Sequence, residues 1–290
     1  MERVYISSHL RKKQEFFSHF TGILKSNEIE PAELEYTKDI WCRDFMTVKS
    51  SDGKYLLFDY DPSYLKGKFA MKKTPRADII TMLNKLGVGF TDIPEIKLDG
   101  GNVVRYEDRV IMTDAIFREN KIDKKDKKGQ DQLIDKLGVY FNSEIIIIPH
   151  QPDDPLSHSD GVVRFLDRNT VLVNNFSSVT EKKLQESKHY LDNLFGALGK
   201  AGLNIIQIPY APINEIGEDD MPVAYGIYIN CLETSKCVFL PQFQEGFVEK
   251  DKEAHQTFSD VFKSVGKKVI PVNSRSIAHE GGVLNCITWN

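Results

Sequence analysis

The chain has 290 residues, 41% of them hydrophobic and 28% charged, the balance of an ordinary soluble globular protein. Its net charge of −4 argues against a nucleic-acid binder, which needs a basic face. No apolar run approaches the roughly 20 residues of a membrane span, and Met1–Ser7 lacks the apolar core of a secretory signal.

Val4–Ser7 reads as a short strand, and His9–Lys25 as a helix with Leu10, Phe16, Phe17, Phe20, Ile23 and Leu24 at helical spacing. Trp41–Val48 reads as a strand, Ser51–Lys54 as a turn and Tyr55–Tyr60 as a second strand, so 43–60 is expected to form a hairpin. A helix is predicted over Thr74–Leu86, opened by Thr74-Pro75. The same unit then returns. Gly101–Arg105 and Val110–Thr113 form a second hairpin, followed by a helix near Gln130–Leu137 and a buried strand at Ser143–Pro149. Gly161–Phe165 and Val171–Asn174 form a third, followed by a helix at Glu181–Leu198 and a strand at Asn204–Pro209. Ala224–Asn230 and Val238–Leu240 form a fourth, followed by a helix at Lys252–Val265 and a strand at Lys268–Val272. The charge run Lys121–Lys128 reads as a solvated loop.

The second strands align at Tyr55, Val110, Val171 and Val238, with separations of 55, 61 and 67 residues. A period of this size marks a repeated supersecondary unit. Five units fill 290 residues at 58 each, and the segment around Cys286 is the fifth return, read as a buried strand. Val4–Ser7 would supply its partner and close a ring. The expected architecture is a single α/β domain, residues 1–290, with approximate five-fold symmetry and strands facing a central channel. Two sequential α/β domains are the alternative.

Three acids occupy the same place in three units. Asp44, Asp99 and Asp160 each stand eleven residues before Tyr55, Val110 and Val171. His158 lies two residues before Asp160, on the same side if the segment is extended. Singly, each has an ordinary explanation: Asp99 before Gly100-Gly101 is a turn former, His158 a loop histidine, Cys286 a small core hydrophobe. Turn chemistry does not, however, fix an acid eleven residues before a strand three times. On one axis the set suits a guanidinium, whose five N–H donors pair bidentately with carboxylates. Its carbon would then be open to a thiolate, with a histidine moving protons. A metal hydrolase is the competing use of such a cluster, weakened by the lack of further ligand-type histidines. Cys42, Cys231, Cys237 and Cys286 have no metal-type spacing and are too few for a disulfide scaffold, so reduced thiols in a cytoplasm are expected. There is no G-x-G-x-x-G, P-loop or zinc motif.

Trp41-Cys42-Arg43-Asp44, Asp99-Gly100-Gly101-Asn102, His158-Ser159-Asp160 and Gly281-Gly282-Val283-Leu284-Asn285-Cys286-Ile287-Thr288 resemble, in order, the motifs of agmatine deiminases and bacterial-type peptidylarginine deiminases, in the guanidine-modifying superfamily. The resemblance covers nearly the whole chain. It implies the pentein fold, a five-fold pseudosymmetric α/β-propeller. It implies Cys286 as nucleophile, forming an amidino-thioether, and His158 as general acid/base. Asp44 and Asp160 would bind the guanidinium, with Asp160 beside the chemistry. Asp99 stands where many members have Glu, and would bind substrate with shorter reach together with Asn102. Trp41 would wall the pocket or pack the ring. The implied reaction is agmatine plus water to N-carbamoylputrescine and ammonia, on the route to putrescine, with no cofactor.

The implied partner is a small cationic guanidino substrate, with no nucleic acid and no membrane; a homo-oligomer is left open. Free or peptide-bound arginine is the alternative substrate, and an amidinotransferase would send the same intermediate to an amine. A non-catalytic pentein binding module is the reading from another class. The chain departs from the family at Phe45-Met46-Thr47, where Gly-Pro is usual, at Asn285, where His is frequent, and in having two glycines after His279-Glu280. These positions bear on which guanidine is taken. The loop Glu218-Asp219-Asp220 reads as solvated, with the distal amine of agmatine as an alternative contact.

Overall fold

The computed structural model describes residues 1–152, 154–176, 181–217 and 220–290. In chain order its elements are β1 (Glu2–Ser7), α1 (Gln14–Ser26), β2 (Ile29–Leu34), α2 (Cys42–Phe45), β3 (Val48–Lys49), β4 (Tyr55–Asp59), α3 (Arg76–Leu86), β5 (Phe90–Lys97), β6 (Val104–Tyr106), β7 (Arg109–Thr113), α4 (Ala115–Glu119), α5 (Lys127–Phe141) and β8 (Glu144–Ile148). There follow β9 (Val163–Asp167), β10 (Thr170–Asn174), α6 (Glu181–Lys200), β11 (Asn204–Ile208), β12 (Leu232–Glu233), β13 (Cys237–Gln242), α7 (Val248–Lys263), β14 (Lys268–Asn273), α8 (Arg275–Ala278) and β15 (Thr288–Trp289). Short 3-10 turns cover Ser8–Lys12, Gly67–Lys72, Gly100–Asn102 and Ser159–Gly161.

The strands form three-stranded sheets of order β15-β1-β2, β3-β4-β5, β6-β7-β8, β11-β10-β9 and β12-β13-β14. The positions aligned by sequence, Tyr55, Val110, Val171 and Val238, all fall in central strands. Each of β1, β4, β7 and β13 pairs antiparallel on one side and parallel on the other. The register repeats as well: Tyr55 faces Lys49 and Phe90, Val110 faces Arg105 and Ile145, Val238 faces Glu233 and Val269. Central strands are buried on both faces, which is why they read as continuous apolar runs rather than alternating ones.

The chain divides into two compact units, each discontinuous in sequence. One comprises Met1–Arg43, Leu172–Leu184 and Ile206–Asn290; the other comprises Asp44–Val171 and Gln185–Ile205. In the first, α1 buries Phe16, Phe20 and Leu24 in a core with Val4 and Ile6 of β1, Phe239 of β13 and Leu284 and Ile287 of the C-terminal segment. In the second, α5 buries Leu133, Leu137 and Phe141 with Leu56 and Phe58 of β4 and Val110 and Met112 of β7, and Phe58 stacks on Phe141 at 5.6 Å. Among the described residues no helix is long and apolar enough to cross a membrane.

Several expected strands are turns. Trp41–Val48 is not one strand: Cys42–Phe45 is a helical turn, because the Arg43 N–H is donated to the Cys286 carbonyl at 3.0 Å and not to a ladder. Gly101–Arg105 begins with a 3-10 turn, and only Val104–Tyr106 is strand. Ala224–Asn230 is not a strand either. Gly226 has φ +74 and packs against the Ala211 carbonyl, a conformation that ends an extended run. The Cys286 segment turns through Leu284–Ile287, with Ile287 N–H donating to Val283 O at 3.3 Å, and extends only at Thr288–Trp289. The charge run Lys121–Lys128 is loop up to Asp126, whose side chain accepts from Gly129 N–H and caps α5. β2, β5 and β12 escaped the sequence reading; β2 and β5 are both at sheet edges and each contains a proline, which an edge tolerates because one side needs no ladder bond.

The expected pairing of the first and last strands is present: Tyr5 faces Trp289 antiparallel, with ring centroids 5.0 Å apart. Trp289 is 2% exposed. Trp289→Ala is expected to lower unfolding free energy by about 3–5 kcal/mol, read as a shifted midpoint in urea denaturation with an unchanged slope.

Candidate active site

The three acids at equal offsets from their strands lie on the turns that precede the hairpins. Asp44 is in α2, Asp99 immediately precedes the 3-10 turn Gly100–Asn102, and Asp160 is inside the turn Ser159–Gly161. A turn suits this task better than a strand, since it presents its side chain without a ladder partner on either side. In the second unit these turns gather around His158. The imidazole Nε2 lies 3.2 Å from Asp99 Oδ2 and Nδ1 lies 3.6 Å from Asp44 Oδ1. His158, Asp44 and Asp160 are all buried, with 4%, 6% and 3% exposure. His158 and Asp160 therefore do share one neighbourhood, through a 3-10 turn and not through strand alternation.

Burial and charge compete here. Burial pushes the Asp44 carboxyl up, His158 beside it pulls the other way, and the negative charges of Asp99 and Asp160 add to the rise, leaving it at about 7. For His158 burial lowers the proton affinity, but the charges of Asp44, Asp99 and Asp160 and the bond to Asp99 outweigh it and raise it to about 10. Burial also raises Asp154, which faces His158 and Asp160. The resting imidazole is thus a cation held between two carboxylates.

Gly101 makes this approach possible. Its N–H donates to Asp44 Oδ1 at 3.1 Å, and a Cβ placed there would stand 2.5 Å from that same oxygen and inside contact distance of His158 Nδ1. Asn102 is buried, and its side-chain oxygen accepts the N–H of Thr113 at 2.9 Å, fixing the end of β7. Thr113 Oγ1 in turn donates to the Ser157 carbonyl at 2.5 Å, holding the residue before His158.

Cys286 and Trp41 belong to the first unit. Cys286 is buried in the turn Leu284–Ile287, and its Sγ and backbone N–H both point at Asn230 Oδ1, at 3.3 and 3.4 Å. Arg43 clamps the same segment: its Nε donates to Asn285 O at 3.4 Å and its Nη2 to Asn290 Oδ1 at 2.9 Å. Trp41 lies over Gly282, where a Cβ would come 2.5 Å from Trp41 Cζ3. Gly282 thus gives the indole room at the run leading to the thiol. Of the acidic loop, Glu218 and Asp219 lie outside the described residues.

Two residues joined to this chemistry were not found by sequence. Asn230 touches the thiol, and Tyr64 donates to Asp99 Oδ2 at 3.0 Å. Neither sits in a repeated motif. Asn230 stands in a segment read as strand, and Tyr64 in an irregular stretch between β4 and α3.

Two outcomes follow for the free protein. Gly101→Ala must separate Asp44 from His158, so a loss of about 1–3 kcal/mol is expected, measured by chemical denaturation. Asp44 and His158 both have proton affinities raised above their unfolded values. Their stabilising contribution is therefore complete at low pH and lost as pH rises, for Asp44 between about 4 and 7 and for His158 between about 6.5 and 10. Unfolding free energy across this range should decline with pH, and Asp44→Asn should flatten the decline below pH 7.

No curated protein matches the sequence. Solved structures do match. C. jejuni agmatine deiminase superposes with TM-score 0.76 at 18% identity, over 100% of this chain and 92% of that one. The agmatine deiminase of Enterococcus faecalis gives 0.72 at 18% identity, over 99% and 92%. An amidinotransferase from Microseira wollei gives 0.62 at 14%, over 100% and 93%. These likenesses show a shared fold. The Porphyromonas-type peptidyl-arginine deiminase family matches residues 1–290, the whole chain, and on that match the chain belongs to this family of hydrolases acting on C–N bonds of amidines.

Proposed function

We propose that the protein deiminates a small cationic guanidino compound, with agmatine the leading substrate, giving N-carbamoylputrescine and ammonia. The observation that carries this reading is the group of three carboxylates, Asp44 and Asp160 buried and Asp99 partly so, around a single buried imidazolium. Three acids outnumber one cation, so the cluster suits a second, planar cation that can bind carboxylates side by side. In the proposed reaction Asp44 and Asp160 hold the guanidinium, and Asp99 and Asn102 complete the binding set, with Trp41 walling the pocket.

The chemistry is a two-step substitution. Cys286 Sγ, as the thiolate, adds to the guanidine carbon, forming a C–S bond. A terminal C–N bond then breaks, and His158 gives its proton to the leaving nitrogen, which departs as ammonia. Water adds to the same carbon while His158 takes back a proton. The C–S bond breaks, returning the thiolate and releasing the ureido product. No cofactor enters the scheme.

Asn285 and Met46, at positions where the chain departs from the family motifs, leave arginine, free or peptide-bound, as the second substrate. The likeness to an amidinotransferase favours testing an amine acceptor as well. The proposal also takes residues 1–290 as one catalytic domain whose five sheets close into an α/β-propeller; the repeated register of the central strands supports it. Four buried cysteines outside any disulfide fit a cytoplasmic setting.

Ammonia release is the direct test, from agmatine, free arginine, a peptide ending in arginine, and methylated arginine, with and without an amine acceptor. One compound should be turned over, and Cys286→Ala should reduce its kcat by about 10³-fold or more. A folded protein that releases ammonia from none of them, and transfers no amidino group, would sink the reading in favour of a binding module.

A further inference from the structure

Tyr64 lies in the segment 61–66, which is pinned at two places. Asp61 binds Lys73 Nζ at 2.6 Å and also Lys97 Nζ. Ser63 donates its N–H and Oγ–H to the Glu119 carboxylate, at 3.1 and 2.7 Å. Held by this strap, the Tyr64 ring stands edge-on to His158, with centroids 6.0 Å apart and planes at 71°. Its hydroxyl donates to Asp99 Oδ2 at 3.0 Å, and that one oxygen also lies 3.2 Å from His158 Nε2.

We propose that Tyr64 is a positioning residue that sets how firmly Asp99 holds the proton on His158 Nε2, and so tunes the acid/base group of the reaction. The inference rests on the role given to His158 above; the Tyr64–Asp99–His158 arrangement itself does not. A phenol that donates to a carboxylate draws charge from it and makes it less basic. Asp99 then attracts the imidazole proton less strongly, which eases its transfer to a leaving nitrogen. The hydroxyl also fixes which Asp99 oxygen faces the ring. His158 is faced by Asp44 from α2, Asp99 before one 3-10 turn, Asp160 within the other, Asp154 from the loop ahead of it, and Tyr64 from the strap. Tyr64 in turn faces Asp99, Tyr60 and Asp44; burial and these neighbours keep its phenol neutral, hence a donor, far above the usual range.

The test is an NMR titration of the His158 imidazole in the full chain without substrate, paired with the pH dependence of kcat. Tyr64→Phe should raise the His158 midpoint by about one unit, about tenfold in proton affinity, and move the corresponding limb of the kcat profile the same way, with KM changed by less than about twofold. Site-specific 3-fluorotyrosine at position 64, a stronger donor, should lower the midpoint. Ser63→Ala loosens the strap but keeps the hydroxyl, and should leave it in place. An unmoved midpoint in folded Tyr64→Phe, a fluorotyrosine shift of the wrong sign, or an equal shift in Ser63→Ala would overturn the proposal. If no guanidine is turned over, the functional reading fails while the titration still decides this one.

Discussion

The buried imidazolium of His158 is the interaction on which its surroundings depend. Taking an ion out of water costs several kcal/mol. A carboxylate about 4 Å away returns about 4 kcal/mol at the dielectric of a typical protein site. His158 has two such contacts, so its cation is favoured. The carboxylates are in the opposite position. Asp44 is buried and faces one cation and two anions; burial above all, with the two anions adding to it, leaves it only about half ionised near neutrality. The cluster holds itself together by sharing a proton, and stays short of positive charge.

Delivering the acids is the task of the turns, and the turns explain the local sequence. Each presents a polar side chain just before its chain enters a hairpin whose central strand has an apolar, buried middle. Close approach is then limited by Cβ atoms. Gly101 stands where one would separate Asp44 from His158, and Gly282 where one would strike Trp41. Rigidity comes from satisfying the backbone at the same points, through Gly101 to Asp44 and Asn102 to Thr113.

Much of this was legible in the sequence because a repeat leaves a period. Equal offsets from Tyr55, Val110 and Val171 singled out Asp44, Asp99 and Asp160, and the structure brings all three to His158. What the period could not reveal was conformation. A run such as Trp41–Val48 has the composition of a strand, yet it turns, with the Arg43 N–H donated to the Cys286 carbonyl, a partner far away in the chain that no local pattern announces. Edge strands were lost for the opposite reason: Pro31 and Pro94 look like interruptions until the sheet order puts them where no ladder bond is needed. Asn102, expected beside the substrate, carries a structural task that its motif does not announce: its side-chain oxygen accepts the N–H of Thr113 at the end of β7. Tyr64 and Asn230 act from outside the repeat, so no offset points to them.

The contact between Cys286 Sγ and Asn230 Oδ1 has a bearing on redox chemistry. A carboxamide oxygen accepts a hydrogen bond but offers none, so it favours a sulfur that keeps its proton. Peroxides and alkylating agents react with the thiolate. A buried sulfur whose polar contact is an acceptor is therefore poorly reactive toward both. Burial and the contact with Asn230 together slow the reaction of Cys286 with oxidants and alkylating agents.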